Sequence, residues 1–176
     1  MDRQVYLSQI DRVIANGPYK ADWASLAARP VPDWYRETRL GIFLHWGPFS
    51  VPAYHDWYAR NMYIKDSPEY EHHLKHWGAH KDFGYKDFIP MFKAEKFSAK
   101  AWADLFKKAG AKYAVLTSKH HDGYALWPSK ESPYYNSVAV GSGRDLAGEY
   151  IAAMKAAGLK AGFYYSLMEY ANPIYK

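Results

Sequence analysis

No cysteine occurs among the 176 residues. Disulfide frameworks, thiolate nucleophiles and cysteine-based zinc sites are therefore excluded, and the composition agrees with a reducing compartment. The chain has no apolar run long enough to span a membrane. Its first residues, MDRQVYLSQIDRVIANG, are amphipathic and charged and lack the apolar core of a signal peptide. A cytoplasmic location is expected, with no membrane partner. The formal charge of +5 comes from scattered lysines and arginines with no dense stripe, which argues against nucleic acid. Internal repeats and low-complexity segments are missing too. So is a G-x-S-x-G nucleophile elbow. The run Gly141-Ser142-Gly143-Arg144-Asp145 has no lysine at the spacing of a phosphate loop; it reads as a turn into a helix, with Asp145 in the first turn.

Aromatic residues are abundant: 7 Trp, 17 Tyr and 8 Phe make up 18% of the chain. Such a load fills a core or lines a cleft. Aromatic clefts suit sugars, whose C–H faces stack on rings while their hydroxyls meet polar groups. The aromatic residues also recur at particular places. LGIFLHWG (40–47) ends at His45 and Trp46. AKYAVLTSKHHDG (111–123) ends at His120, His121 and Asp122. LKAGFYYSLMEY (159–170) ends at Tyr164, Tyr165, Ser166 and Glu169. Each is an apolar strand body with a polar or aromatic end. In a parallel (β/α) barrel the C-terminal strand ends line the active site.

The remaining pattern supplies the helices. Residues 1–16 carry Val5, Ile10, Val13 and Ile14 on one face, stopped by Asn16-Gly17-Pro18. Residues 18–33, with three prolines, read as an irregular lead-in. After the first strand (40–46), a long connection over 47–97 holds helical pieces near 57–63 and 67–77. Ser98 is an N-cap before a stripe of Trp102, Leu105, Phe106 and Ala109, which Gly110 ends. A strand over 111–118, a long loop over 119–143, a helix over 144–157 and a strand over 159–166 follow. Leu146, Tyr150, Ile151 and Met154 form the face of that helix, and Gly158 ends it. The order is β-α-β-α-β, with minimal helix-to-strand links and long strand-to-helix loops. The fold class is α/β: about three βα units forming the N-terminal portion of a (β/α)8 TIM-like barrel, incomplete as given, since closure needs eight strands. A doubly wound sheet stays open. The domain reading is 1–33 as helix and lead-in and 34–176 as part of a catalytic barrel.

Several residues have the chemistry for a site. Phe43 and His45 alternate with Leu44 and share one strand face. His120 and His121 are adjacent, so they meet one ligand only if the chain bends, which Gly123 permits. They suit hydrogen bonding to neighbouring hydroxyls, or metal ligation. His72 and His76, at i and i+4, suit a metal in principle but read better as an exposed polar helix face, and no metal is expected. Asp56-Trp57 pairs a carboxylate with an indole, as sugar sites do; an N-cap before a buried ring is the plainer reading. Glycoside hydrolysis needs two carboxylates flanking the bond. Of the strand-end candidates, Asp122 reads as fixing the turn at Gly123. Glu169 is better placed but is a single residue.

The segments GIFLHWGPFSVPAY, HDWYARNMY, FSAKAWADLFKKAGAKYAVLTSKHHDGYALWPSK, NSV…GRDL and GLKAGFYYSLMEY resemble the N-terminal half of glycoside hydrolase family 29, the alpha-L-fucosidases, from about Trp34 to Pro173. The resemblance implies a (β/α)8-like catalytic domain followed by a β-sandwich. It implies retaining hydrolysis of terminal alpha-L-fucose without a cofactor, on a fucosylated oligosaccharide or glycoconjugate. By motif, His45, His120, His121, Trp57 and Tyr164 would bind the hydroxyls and ring of fucose, with Asp56 beside Trp57. Phe43 would help line the pocket for the C5 methyl. Asp56 stands where the family usually has Glu, and Tyr170 where Trp is common. The resemblance also implies that nucleophile and acid/base carboxylates lie beyond Lys176, leaving the chain alone inactive. The alternatives are a non-catalytic fragment or one half of a split enzyme, with a complementary C-terminal fragment or a homo-oligomer as partner. A metal-dependent hydrolase using His45, His120 and His121 is a third reading.

Overall fold

A computed structural model describes residues 3–172. It divides the chain into two compact units, residues 1–38 and 39–176. In the first, the helix read over 1–16 is α1 (Arg3–Asn16); its expected first two residues lie outside the described ones. α1 buries no residue, and a unit of this length has little surface with which to build a core. The lead-in over 18–33 is mostly irregular, as expected, but holds one short helix and ends at the start of another. α2 (Trp23–Ala27) starts at Asp22, whose carboxylate accepts the Ser25 N–H at 2.8 Å, and α3 (Asp33–Arg36) follows Pro32. The prolines that suggested disorder of pattern fall between these helices, where they cost nothing.

The second unit holds a three-stranded parallel sheet in the order β1-β2-β3: β1 (Gly41–Leu44), β2 (Tyr113–Lys119) and β3 (Lys160–Tyr165). Each strand is shorter than its apolar run. The β1 ladder stops where Leu44 pairs with Leu116, leaving His45 and Trp46 beyond it. Between β2 and β3 the register slips. Thr117 pairs with Tyr164 and Lys119 with Tyr165, so Ser118 is an extra residue, and its hydroxyl bonds the Tyr164 carbonyl at 3.0 Å. Bulges of this kind re-aim the side chains that follow.

The long connection over 47–97 forms short helices. After a 3₁₀ turn (Pro48–Ser50) come α4 (Tyr58–Asn61), α5 (Pro68–His76) capped by the Ser67 hydroxyl, and α6 (Tyr85–Phe88). Phe49, Tyr58, Ala59, Met62, Tyr85 and Phe88 give it an apolar cluster of its own. α7 (Ala99–Lys108) and α8 (Leu146–Ala156) then pack beside one another. Their caps are Ser98, as expected, and Asp145, which sits at the cap rather than within the first turn. Both end identically. Gly110 N–H bonds Lys107 O and Ala111 N–H bonds Phe106 O; Gly158 and Leu159 repeat this on Lys155 and Met154. This paired motif stops a helix on a left-handed residue and turns the chain straight into the next strand. Ala114, Leu116, Leu146, Tyr150 and Met154, all fully buried, centre the main core between sheet and helices. Among the described residues no helix is long and apolar enough to cross a membrane.

Candidate active site

The site is built from three strand exits and one loop. On β1, alternation sends Phe43 and His45 to the same side, with ring centroids 4.6 Å apart. Trp46 goes the other way. Its ring packs on Phe92, Phe97 and Trp102 at 5.0, 4.7 and 5.2 Å, so this member of the strand-end cluster is core. On β3, Tyr164 lies 5.7 Å from Phe43 and 6.0 Å from His45, while Tyr165 turns away to lie under the Lys119 ammonium at 4.2 Å.

After the Ser118 bulge, β2 ends at Lys119, and the bend brings both following histidines to the same rim. Their rings are 4.7 Å apart. His120 lies 5.2 Å from His45, and His121 lies 6.5 Å from Tyr164. Gly123 closes the bend at φ 81°, a conformation that side chains resist, with its N–H bonded to the His120 carbonyl at 3.0 Å. Asp122 is buried beneath. Its Oδ2 accepts the Tyr85 hydroxyl at 2.6 Å and its Oδ1 the Tyr124 N–H at 3.0 Å. This is the turn-fixing position; both oxygens are engaged.

The exit of β3 folds back onto the exit of β2. Ser166 N–H bonds Lys119 O at 3.0 Å, and Tyr170 N–H bonds His121 O at 2.7 Å. Ser166 Oγ lies 2.5 Å from His121 Nδ1, and the Glu169 carboxylate pairs with the buried Lys119 ammonium. Glu169 is therefore held as a counter-ion. The loop before α4 supplies the last wall. Trp57 stands edge-on to His121 at 5.3 Å, and Asp56 comes to the two other imidazoles: one ligating atom each of His45, Asp56 and His120 lies within 4.8 Å of the others.

Seven residues singled out in the sequence thus meet at one rim: Phe43, His45, Asp56, Trp57, His120, His121 and Tyr164. Burial, then the neighbouring His121 and His45, lower the His120 pKa to about 4, so that ring is neutral near neutral pH and can donate from one nitrogen and accept at the other. Burial raises the Asp122 carboxyl to about 6, although its two donors favour the ionised form. Three imidazoles, a carboxylate, a phenol and an indole around one opening can bond several adjacent hydroxyls while a ring face covers apolar C–H groups.

A family model described as alpha-L-fucosidase matches residues 6–176. The chain belongs to the alpha-L-fucosidase family. It is 47% identical over 158 residues to a bovine tissue alpha-L-fucosidase, covering 89% of this chain and 34% of that one. It resembles the structure of the Thermotoga maritima alpha-fucosidase in complex with fucose, with a TM-score of 0.77 and 45% identity over 84% of this chain and 37% of that one. The complex of the same enzyme with a mechanism-based inhibitor gives 0.79 and 44%, covering 86% and 38%. This chain thus spans about a third of the length of the curated fucosidases it matches.

Sequence reasoning missed three features of this rim. Phe49, in the 3₁₀ turn at the start of the long connection, lies 5.0 Å from the His120 ring. Tyr170, noted only as a departure from the family's Trp, lies 5.5 Å from His121 and 6.0 Å from Trp57. The Ser166–His121 contact joins residues 45 apart, which no local pattern reveals. His72 and His76 lie elsewhere, on α5, their rings 4.5 Å apart. His73 between them is buried and bonded to the Phe83 carbonyl at 2.9 Å.

Proposed function

We propose that this chain carries the fucose-holding part of a retaining alpha-L-fucosidase, and that its sheet is the opening portion of a (β/α)8 barrel. The observation that carries the reading is the convergence of His45, His120 and His121 with Asp56 on one rim, walled by Phe43, Trp57 and Tyr164. The imidazoles and carboxylate bind hydroxyls; Phe43 contacts the C5 methyl; Trp57 and Tyr164 flank the sugar ring. Sequential parallel strand order supports a barrel over a doubly wound sheet, whose strand order reverses.

Retaining hydrolysis needs two carboxyl groups about 5–5.5 Å apart. Asp122 and Glu169 are committed to Tyr85 with Tyr124 and to Lys119, so we assign the nucleophile and the acid/base to residues outside this sequence. The substrate is a terminal alpha-L-fucose on an oligosaccharide or glycoconjugate. The chain alone should bind L-fucose and not turn over p-nitrophenyl fucoside. A complementary C-terminal fragment that restores turnover would mark it as half of a split enzyme. Strong turnover by the chain alone would overturn the assignment of the carboxylates. His45, Asp56 and His120 also have metal-ligating chemistry. Fucose binding that survives chelator treatment favours the sugar reading, and binding that requires zinc would reverse it.

A further inference from the structure

We propose that Ser166 is a positioning residue that fixes the tautomer of His121, so that His121 offers a hydrogen-bond-accepting Nε2 to a hydroxyl of the sugar. The sugar part of this rests on the proposed function; the tautomer part stands on geometry alone.

Ser166 Oγ lies 2.5 Å from His121 Nδ1 and 2.7 Å from the Met168 carbonyl oxygen. A serine hydroxyl has one proton to give, and a carbonyl oxygen can only accept. The Ser166 proton therefore goes to Met168 O. The short contact to Nδ1 is then attractive only if Nδ1 carries a proton and donates to the Ser166 oxygen. A neutral imidazole has a single N–H, so Nε2 of His121 keeps its lone pair.

The geometry is held from both sides. Ser166 is 2% exposed, with its N–H bonded to Lys119 O at 3.0 Å. The His121 carbonyl accepts the Tyr170 N–H at 2.7 Å. The turn that aims Met168 O at Ser166 is thus anchored on the last residue of β2, Lys119, and on His121 itself. His45 and His120 have no comparable hydrogen bond among the described residues, so their nitrogens remain free to suit a ligand. His121 is the member of the trio whose polarity is set beforehand. Pre-set acceptors cut the ordering cost of binding and reject a ligand group that cannot donate.

Imidazole ¹⁵N NMR of the chain tests this. The spectra are taken at about pH 8, above the ordinary imidazole range near 6.5, and His121 is assigned through His121→Gln. Wild-type protein should show a protonated Nδ1 and an unprotonated, pyridine-like Nε2. In Ser166→Ala the Nε2–H form should appear, and L-fucose should bind about five- to tenfold more weakly. Ser166→Thr, which keeps the hydroxyl, should restore both. A merely structural serine would not move the tautomer. An Nε2–H His121 in the wild type overturns the proposal even if the alanine variant fails to fold. So does an unchanged His121 spectrum in folded Ser166→Ala. If the tautomer is as stated but L-fucose does not bind, the sugar reading fails and the assignment of Ser166 holds.

Discussion

Tyr85 on α6 donates a 2.6 Å hydrogen bond to Asp122, a residue 37 positions later, directly beneath the two histidines of the bend. The connection that carries Asp56 and Trp57 is thereby bolted to the strand exit that carries His120 and His121. Tyr85→Phe removes this donor and leaves a buried carboxylate with the Tyr124 N–H. It should cost about 1–3 kcal/mol in urea denaturation, and the phenol's absence should raise the Asp122 pKa further, since that bond favours the ionised form. An unchanged denaturation midpoint would show that the bond is not formed.

Asp122 and His120 oppose one another in their pH dependence. The Asp122 carboxyl is raised from 3.8 to about 6, so the folded state holds its proton more tightly than the unfolded state. Its stabilisation is full below 3.8 and is lost as pH rises through about 6. His120 is lowered from 6.5 to about 4, so the unfolded state binds its proton more tightly. Its contribution is full above 6.5 and is lost as pH falls toward about 4. Asp122→Asn should therefore make stability fall more steeply between pH 6 and 4 than in the wild type. His120→Gln should make it fall less. Parallel pH profiles in all three proteins would refute both assignments.

Breaking the Lys119–Glu169 pair should cost unequally from its two ends. The Lys119 side chain is 5% exposed and the Glu169 side chain 31%. Glu169→Ala strands a buried ammonium and should destabilise by about 3 kcal/mol. Lys119→Met leaves a carboxylate that water can reach, at about 1 kcal/mol. Chemical denaturation of the two variants checks the order.

Phe43 is 56% exposed, so Phe43→Ala should leave stability within about 0.5 kcal/mol. If Phe43 touches the C5 methyl, the variant should bind L-fucose roughly fivefold more weakly, with little change for L-galactose, which has a hydroxymethyl there. Equal losses for both sugars would place Phe43 elsewhere on the ligand.

Much of this was legible in the sequence because the signals are local. Strand bodies show as apolar runs, and Ser98 and Gly110 bracket α7 as cap chemistry requires. Phe43 and His45 share a face by alternation alone. The same alternation should have removed Trp46 from the rim, but an aromatic residue at a strand end reads equally as site or core. The short helices α2, α3 and α6 carry too few turns for a periodic stripe. The Ser118 bulge leaves no mark in a hydrophobic pattern, yet it decides how β2 delivers its histidines. Ser166–His121 and Tyr85–Asp122 are products of tertiary packing, visible only once distant segments meet.

The clip between the exits of β2 and β3 also has a meaning in time. His121 gains its hydroxyl partner and its backbone anchor from Ser166 and Tyr170, which are synthesised some 45 residues after it. Long-range pairings of this kind form late, since the intervening chain must close first. A nascent polypeptide has its first two strands, and even their histidines, well before the rim is assembled. The rim is complete when the third strand docks and its tail turns back.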